Sequence, residues 1–230
     1  KVYSYQLSEV LNINPRYFFK KKKKIFQFIN RFNSQTTLRS EKKTSALNFK
    51  TFTNPFQNNI SDTLLQALSN SFRNSIFFNR SNPKFGVEYT FQEFNSKTLL
   101  LSGFDSRKKL TKEWKIRWNI NKAMSLTANT ENGIKYNYSD YAPTRNYELK
   151  MEKYIAKIAY QPNTKFRLSL NGFYTYKENA ISFGGEKVYL TNLGLELRYN
   201  QPKKGSFTGN INYIYINYIG ENNSSVAFEM

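Results

Sequence analysis

The feature that most constrains this chain is an alternation of apolar and polar residues with a period of two. Phe85, Val87, Tyr89 and Phe91 are separated by Gly86, Glu88, Thr90 and Gln92. Trp114, Ile116, Trp118 and Ile120 alternate with Lys115, Arg117 and Asn119. The same beat runs from Met124 to Tyr138, from Phe166 to Lys177, from Leu193 to Tyr199 and from Phe207 to Tyr215. Successive side chains of a strand point to opposite sides of a sheet, whereas a helix returns to one side every three or four residues. Each passage therefore predicts a strand with one apolar and one polar side.

Turn chemistry punctuates these strands. Asn82-Pro83-Lys84, Asn121-Lys122, Gln161-Pro162-Asn163-Thr164 and Gln201-Pro202-Lys203-Lys204 recur about every 40 residues, with the Asn and Pro that favour tight turns. Between them the pattern predicts longer loops over Asn95 to Lys109, Ser139 to Arg145, Asn179 to Glu186 and Gly220 to Ser225. Pro83, Pro143, Pro162 and Pro202 all fall in connections, where a missing N–H costs no ladder bond. Short turns alternating with longer loops describe an antiparallel meander of consecutive hairpins.

Strand length separates two kinds of meander. Strands of soluble sandwiches run about 5–6 residues. Here the alternation from Met124 to Tyr138 covers 15 residues and that from Phe207 to Ile219 covers 13. A strand that crosses a membrane needs about 9–11 tilted residues, apolar outward and polar inward, with short turns at one end of the barrel. A closed wall also satisfies every backbone hydrogen bond in lipid. The expected fold class is all-β: an antiparallel up-and-down meander forming part of a transmembrane β-barrel in the outer membrane of a Gram-negative bacterium.

Residues 71–230 carry this meander. Residues 1–70 are expected to be an irregular segment with one or two strands, either the start of the barrel wall or a periplasmic connection. Within it Phe26, Phe28, Phe32 and Leu38 share one parity, which predicts a strand across about Ile25 to Ser40. Ser61 to Ser69 fits either a short helix capped by Ser61 or an irregular connection. Lys1-Val2-Tyr3 and Phe228-Glu229-Met230 both read as interior sequence, so the chain is expected to be a piece of a longer protein, incomplete at its C-terminal side.

The absence of Cys and His excludes much chemistry. Thiol nucleophiles, disulfides, thiolate zinc sites, Ser-His-Asp triads and imidazole-bound metals cannot be built from this chain alone. Asp105-Ser106 and Ser139-Asp140 are expected in loops, where their ordinary role is to close turns. Gly184-Gly185, ahead of Glu186-Lys187, predicts a junction with positive φ rather than a phosphate loop, because no helical pattern follows. Glu178, Glu186 and Glu221 are expected in loops and lack the acceptor spacing of an EF-hand. No catalytic, cofactor-binding or metal-binding residue is assigned, no cofactor is implied, and the chain is expected not to be an enzyme.

With 35 Lys and Arg against 16 Asp and Glu, the net charge is +19. Such a surplus, with the run Phe18-Phe19-Lys20-Lys21-Lys22-Lys23-Lys24, would suit an RNA-associated structural protein, such as a ribosomal protein from an AT-rich genome. Elsewhere, however, the basic residues are dispersed at every second position, as one side of a sheet requires. In the barrel reading Arg117, Lys135, Arg167, Lys177 and Arg198 face the lumen, where they favour anions or hold a plug. Tyr136, Tyr138, Tyr174, Tyr176, Tyr199, Tyr213 and Tyr215 gather near strand ends, as the aromatic girdles of the membrane interface do. The partners expected are outer-membrane lipids, lipopolysaccharide phosphates and other outer-membrane or lipoprotein subunits, and no nucleic acid. The function expected is transport, secretion or assembly of a surface complex.

Several stretches also carry a resemblance. "FRNSIFFNRSNPKFGVEYTFQ" from Phe72, "LLLSGFDSRK", "EWKIRWNIN", "FGGEKV" and "INYIYINYIGENNSSVAFEM" resemble the C-terminal region of large, poorly characterised outer-membrane proteins of Bacteroidota. The resemblance covers about Asn54 to Met230 and implies location and architecture only. In that family the region is a meander with a few more strands beyond the position matching Met230. No functional residue carries over from it.

Overall fold

The computed structural model describes residues 2–17, 24–45, 64–201 and 204–220. Ten strands form one antiparallel sheet: β1 (Tyr3–Ile13), β2 (Phe32–Thr44), β3 (Leu65–Phe78), β4 (Phe85–Leu100), β5 (Gly103–Asn119), β6 (Met124–Ser139), β7 (Tyr147–Tyr160), β8 (Phe166–Asn179), β9 (Lys187–Gln201) and β10 (Gly205–Ile219). Each strand pairs with its neighbours in sequence, so the order in space is the order in the chain. The sheet is open: β1 and β10 are its two edges. One short helix, α1 (Lys24–Ile29), lies between β1 and β2. Among the described residues no helix is long and apolar enough to cross a membrane.

The connections sort into two ends. At one, here the turn end, β3–β4, β5–β6, β7–β8 and β9–β10 are joined by short segments. Three of these are closed by the Asn that marks them in sequence. Asn82 Oδ1 accepts from the Lys84 N–H at 2.8 Å. Asn121 Oδ1 accepts from the Ala123 and Met124 N–H groups, each at 2.8 Å. Asn163 Oδ1 accepts from Lys165 and Phe166, each at 2.9 Å. A short polar side chain that bonds its own backbone two or three residues on stabilises a turn and ends a strand. At the opposite, loop end, Asp140 Oδ2 accepts from the Phe104 N–H at 2.9 Å and ties the β6–β7 loop to the start of β5. Gly184 and Gly185 have φ of 119° and 66°, the expected left-handed junction ahead of β9.

Several expectations need correction. Among the described residues of 1–70, β1, β2 and the start of β3 belong to the same sheet as the later strands. Phe26 and Phe28 lie on α1, and the strand begins only at Phe32. Leu65 to Ser69 is strand rather than helix; Ser61 lies outside the described residues, as do Lys20 to Lys23, Pro202, Lys203, Glu221 and the segment 221–225. The loop expected over Asn95 to Lys109 is instead a hairpin whose turn is Leu101-Ser102, followed by Gly103 at φ 136°. Asp105-Ser106 therefore sits in β5, and Glu178 in β8. Alternation fades in these strand ends because both sides there are polar, which hides a strand from a pattern search.

The sheet is staggered. From the β3–β4 hairpin, Phe78↔Val87, the pairings lead through Ile116, Ala128, Ala156, Gly172 and Leu193 to Tyr213. The last hairpin closes at Gly205↔Gln201, eight residues further toward the turn end than Tyr213. Eight residues are about 27 Å of strand, against about 29 Å for the six inter-strand steps from β4 to β10. The turn end thus runs at roughly 45° to the perpendicular pairing direction, close to the tilt of roughly 35–45° in barrel walls.

Candidate functional surface: a charge-free convex belt backed by a basic concave face

The pairings assign every strand residue to one of two faces. One face carries Val87, Trp114, Ile116, Leu126, Ile158, Leu170, Leu195 and Ile211. The other carries Thr90, Lys115, Arg117, Thr127, Lys157, Ser169, Glu196 and Asn210. Exposure tells which way the wall bends. Ser169 on the polar face is 1% exposed, while Leu170 beside it on the apolar face is 47% exposed and Ile211 is 69%. A cavity of about 770 Å³ is lined by polar-face side chains of five consecutive strands, among them Thr37, Arg73, Glu88, Arg117 and Thr127. A flat sheet does not gather five strands around one space, so the wall curls toward its polar face. The apolar face is convex and the polar face concave, the reverse of a soluble protein's arrangement.

On the convex face one row of paired residues crosses all ten strands, from Ile13 through Ile76, Tyr89, Trp114, Tyr154 and Tyr174 to Tyr215. Between that row and the turn end, no described convex strand residue is Lys, Arg, Asp or Glu. On β10 this belt runs from Phe207 to Tyr215, about 27 Å along the strand and about 20 Å in height at such a tilt. Aromatic residues border it on both sides. At the turn end stand Phe85, Trp118, Tyr160, Phe166, Tyr199 and Phe207; toward the loop end stand Tyr89 over Trp114 (ring centroids 4.6 Å), Tyr154 near Tyr174 (6.2 Å) and Tyr176 against Tyr189 (4.9 Å). Charge returns only beyond the belt, in part as cross-strand pairs. Lys187 Nζ lies 2.9 Å from Glu178, whose other oxygen accepts from the Tyr176 hydroxyl at 2.7 Å. Lys108 lies 3.6 Å from Glu93.

At the level of the belt, the concave face holds Glu88, Lys115, Arg117, Lys157, Arg167, Glu196 and Arg198. Three of the five expected lumen residues, Arg117, Arg167 and Arg198, are in this group; Lys135 and Lys177 share the face but lie nearer the loop end. Arg117 also has a structural role, since its Nη2 donates to the Asn82 carbonyl at 2.8 Å and the Arg80 carbonyl at 3.3 Å, holding the β3–β4 turn. Arg198 pairs with Glu196 one position along the face, and Arg167 Nε donates to Ser169 Oγ at 3.4 Å. In the buried floor of this face Ser75 and Thr90 hydroxyls bond each other at 2.9 Å.

All seven tyrosines singled out in the sequence are on the convex face, but they do not form one ring. Tyr199 belongs to the turn-end row; Tyr174, Tyr176, Tyr213 and Tyr215 border the belt on the other side. Tyr136 and Tyr138 stand further out, paired with Lys108 and Ser106 among charged neighbours. Sequence reading missed the turn-end row because it weighed tyrosine; the signal was an aromatic of any kind one to three residues from an Asn- or Pro-containing turn. It also missed Arg73, Glu88 and Lys115 around the cavity. Among the described residues no group of three carboxylates is placed to hold a metal ion. No known protein family matches the chain, and neither a curated protein nor a solved structure is found similar to it.

Proposed function

We propose that this chain is a wall of an outer-membrane β-barrel, with no catalytic chemistry of its own, that serves transport, secretion or the assembly of a surface complex. One observation carries the reading: at the same depth the convex face is free of charge while the concave face holds seven ionisable residues. Lipid tolerates the first face and not the second, and water in a lumen does the reverse. Five of the seven are basic, which supports a lumen that favours anions or seats an acidic plug. A stagger near the usual barrel tilt adds support.

Membrane extraction tests it. The protein is expected in the outer-membrane fraction, released by detergent, with gel mobility that changes on boiling and circular dichroism dominated by strand. Recovery in the soluble fraction without detergent, with RNA binding that weakens steeply with salt, would instead favour the RNA-associated reading of the +19 charge.

A further inference from the structure

The two ends of the sheet carry opposite chemistry. Every connection at the turn end bears exposed basic side chains: Arg16, Lys24 and Arg31 between β1 and β2, Arg80 and Lys84 after β3, Lys122 after β5, Lys165 after β7 and Lys204 after β9. No Asp or Glu occurs in any of the five segments. The described loop-end connections instead hold Asp140, Arg145 and Glu186. A rim of one sign repels itself, so it is stable beside a surface of the opposite sign.

A second feature says what that surface is. Directly above the basic rim lies the turn-end aromatic row of the convex face, with the charge-free belt above that. Rings with one wet and one apolar side mark the depth of lipid headgroups. Helix α1 joins the same layer: Phe28 packs edge-on against Phe32 (5.5 Å) and beside Phe78 (5.8 Å). Basic groups one turn beyond an aromatic girdle stand at the phosphate layer, where each Lys or Arg adds attraction to anionic lipid. Five of the eight are lysines, mobile point charges suited to a field of headgroups more than to one shaped pocket. Resting on the membrane reading above, we infer that the turn end is a basic collar that binds anionic phospholipid headgroups in the leaflet on that side.

The chain's two tryptophans report on this directly, because Trp114 and Trp118 are both on the convex face and the Asn119 N–H bonds the Lys84 carbonyl at 2.7 Å. The full chain is reconstituted in phosphatidylcholine vesicles containing equal small fractions of brominated phosphatidylcholine or brominated phosphatidylglycerol, and tryptophan quenching is compared. The expected result is an apparent affinity about threefold to fivefold higher for the glycerol lipid, lost in high salt and in K84Q/K122Q. Equal quenching by both lipids would overturn the collar and leave the membrane reading standing. A preference that persists in K84Q/K122Q overturns the assignment to the turn-end lysines. Quenching by neither lipid would overturn both readings.

Discussion

β4–β10 and β1–β3 are parts of one sheet, joined by the same kind of pairing, yet their convex faces differ. From β4 to β10 the belt is mostly Val, Leu, Ile, Phe, Tyr and Trp, with Ala128, Thr130, Ala156 and Thr191 among them. On β2 and β3 the belt is narrow, holding Phe32, Ser34, Ile76 and Phe78, and beyond it the same face holds Thr36, Ser40, Lys42, Asn70 and Asn74 beside Leu38 and Phe72. These polar groups bond across the strands: Ser40 Oγ to Asn70 Oδ1 at 2.7 Å, and Asn74 Nδ2 to Thr36 Oγ1 at 2.7 Å. Ser40 and Lys42 are 1% and 0% exposed, whereas convex residues of β9 and β10 are open. Alternation makes a strand in both regions, but what each convex face meets is written in its composition. The β4–β10 face suits lipid and the β2–β3 face suits a polar or protein environment.

The sharpest way to break this contrast is a charge in the middle of each region. Leu195→Lys is expected to destabilise the vesicle-inserted protein by about 2–4 kcal/mol, and Ser34→Lys by less than about 1 kcal/mol, read from urea midpoints by tryptophan fluorescence. Similar losses at both sites would erase the difference. The opposite substitution should give opposite signs. Asn70→Leu removes the partner of a buried Ser40 hydroxyl and is expected to cost about 1–3 kcal/mol. Thr191→Leu, on the β9 belt, is expected to stabilise by about 1 kcal/mol.

The strands from Phe85 onward were legible because their two faces meet different surroundings, and period two is the trace of that difference. β1 was not, since Glu9 falls on the same face as Leu7 and Leu11 while Val10 falls on the other. The outer halves of β4 and β5 read as a loop for the same reason: Asn95 and Lys97 on one face and Ser96 and Thr98 on the other leave no contrast. That Arg117, Lys135, Arg167, Lys177 and Arg198 share one face was legible from parity alone. The turn-holding role of Arg117 was not, because it depends on where the Arg80 and Asn82 carbonyls end up in space.

Two smaller effects sharpen the boundary between the regions. Arg117→Lys replaces a rigid planar guanidinium, whose Nη2 reaches two carbonyls, with a freely rotating ammonium, at an expected cost of about 1 kcal/mol and faster amide exchange in the turn 79–84 that joins β3 to β4. Glu178→Gln breaks an ion pair whose side chains are partly exposed, beyond the belt, and is expected to shift the urea midpoint less than Arg117→Lys does.

The central claim is that convex residues face lipid and concave residues face water at the same depth. The chain has no cysteine, so single cysteines from Leu193 to Tyr199 on β9 give a clean scan. In vesicles, Leu193, Leu195 and Leu197 positions are expected to resist a charged water-soluble thiol reagent, while Glu196 and Arg198 positions react. Uniform reactivity along the strand, or reaction at the leucine positions instead, would contradict the account.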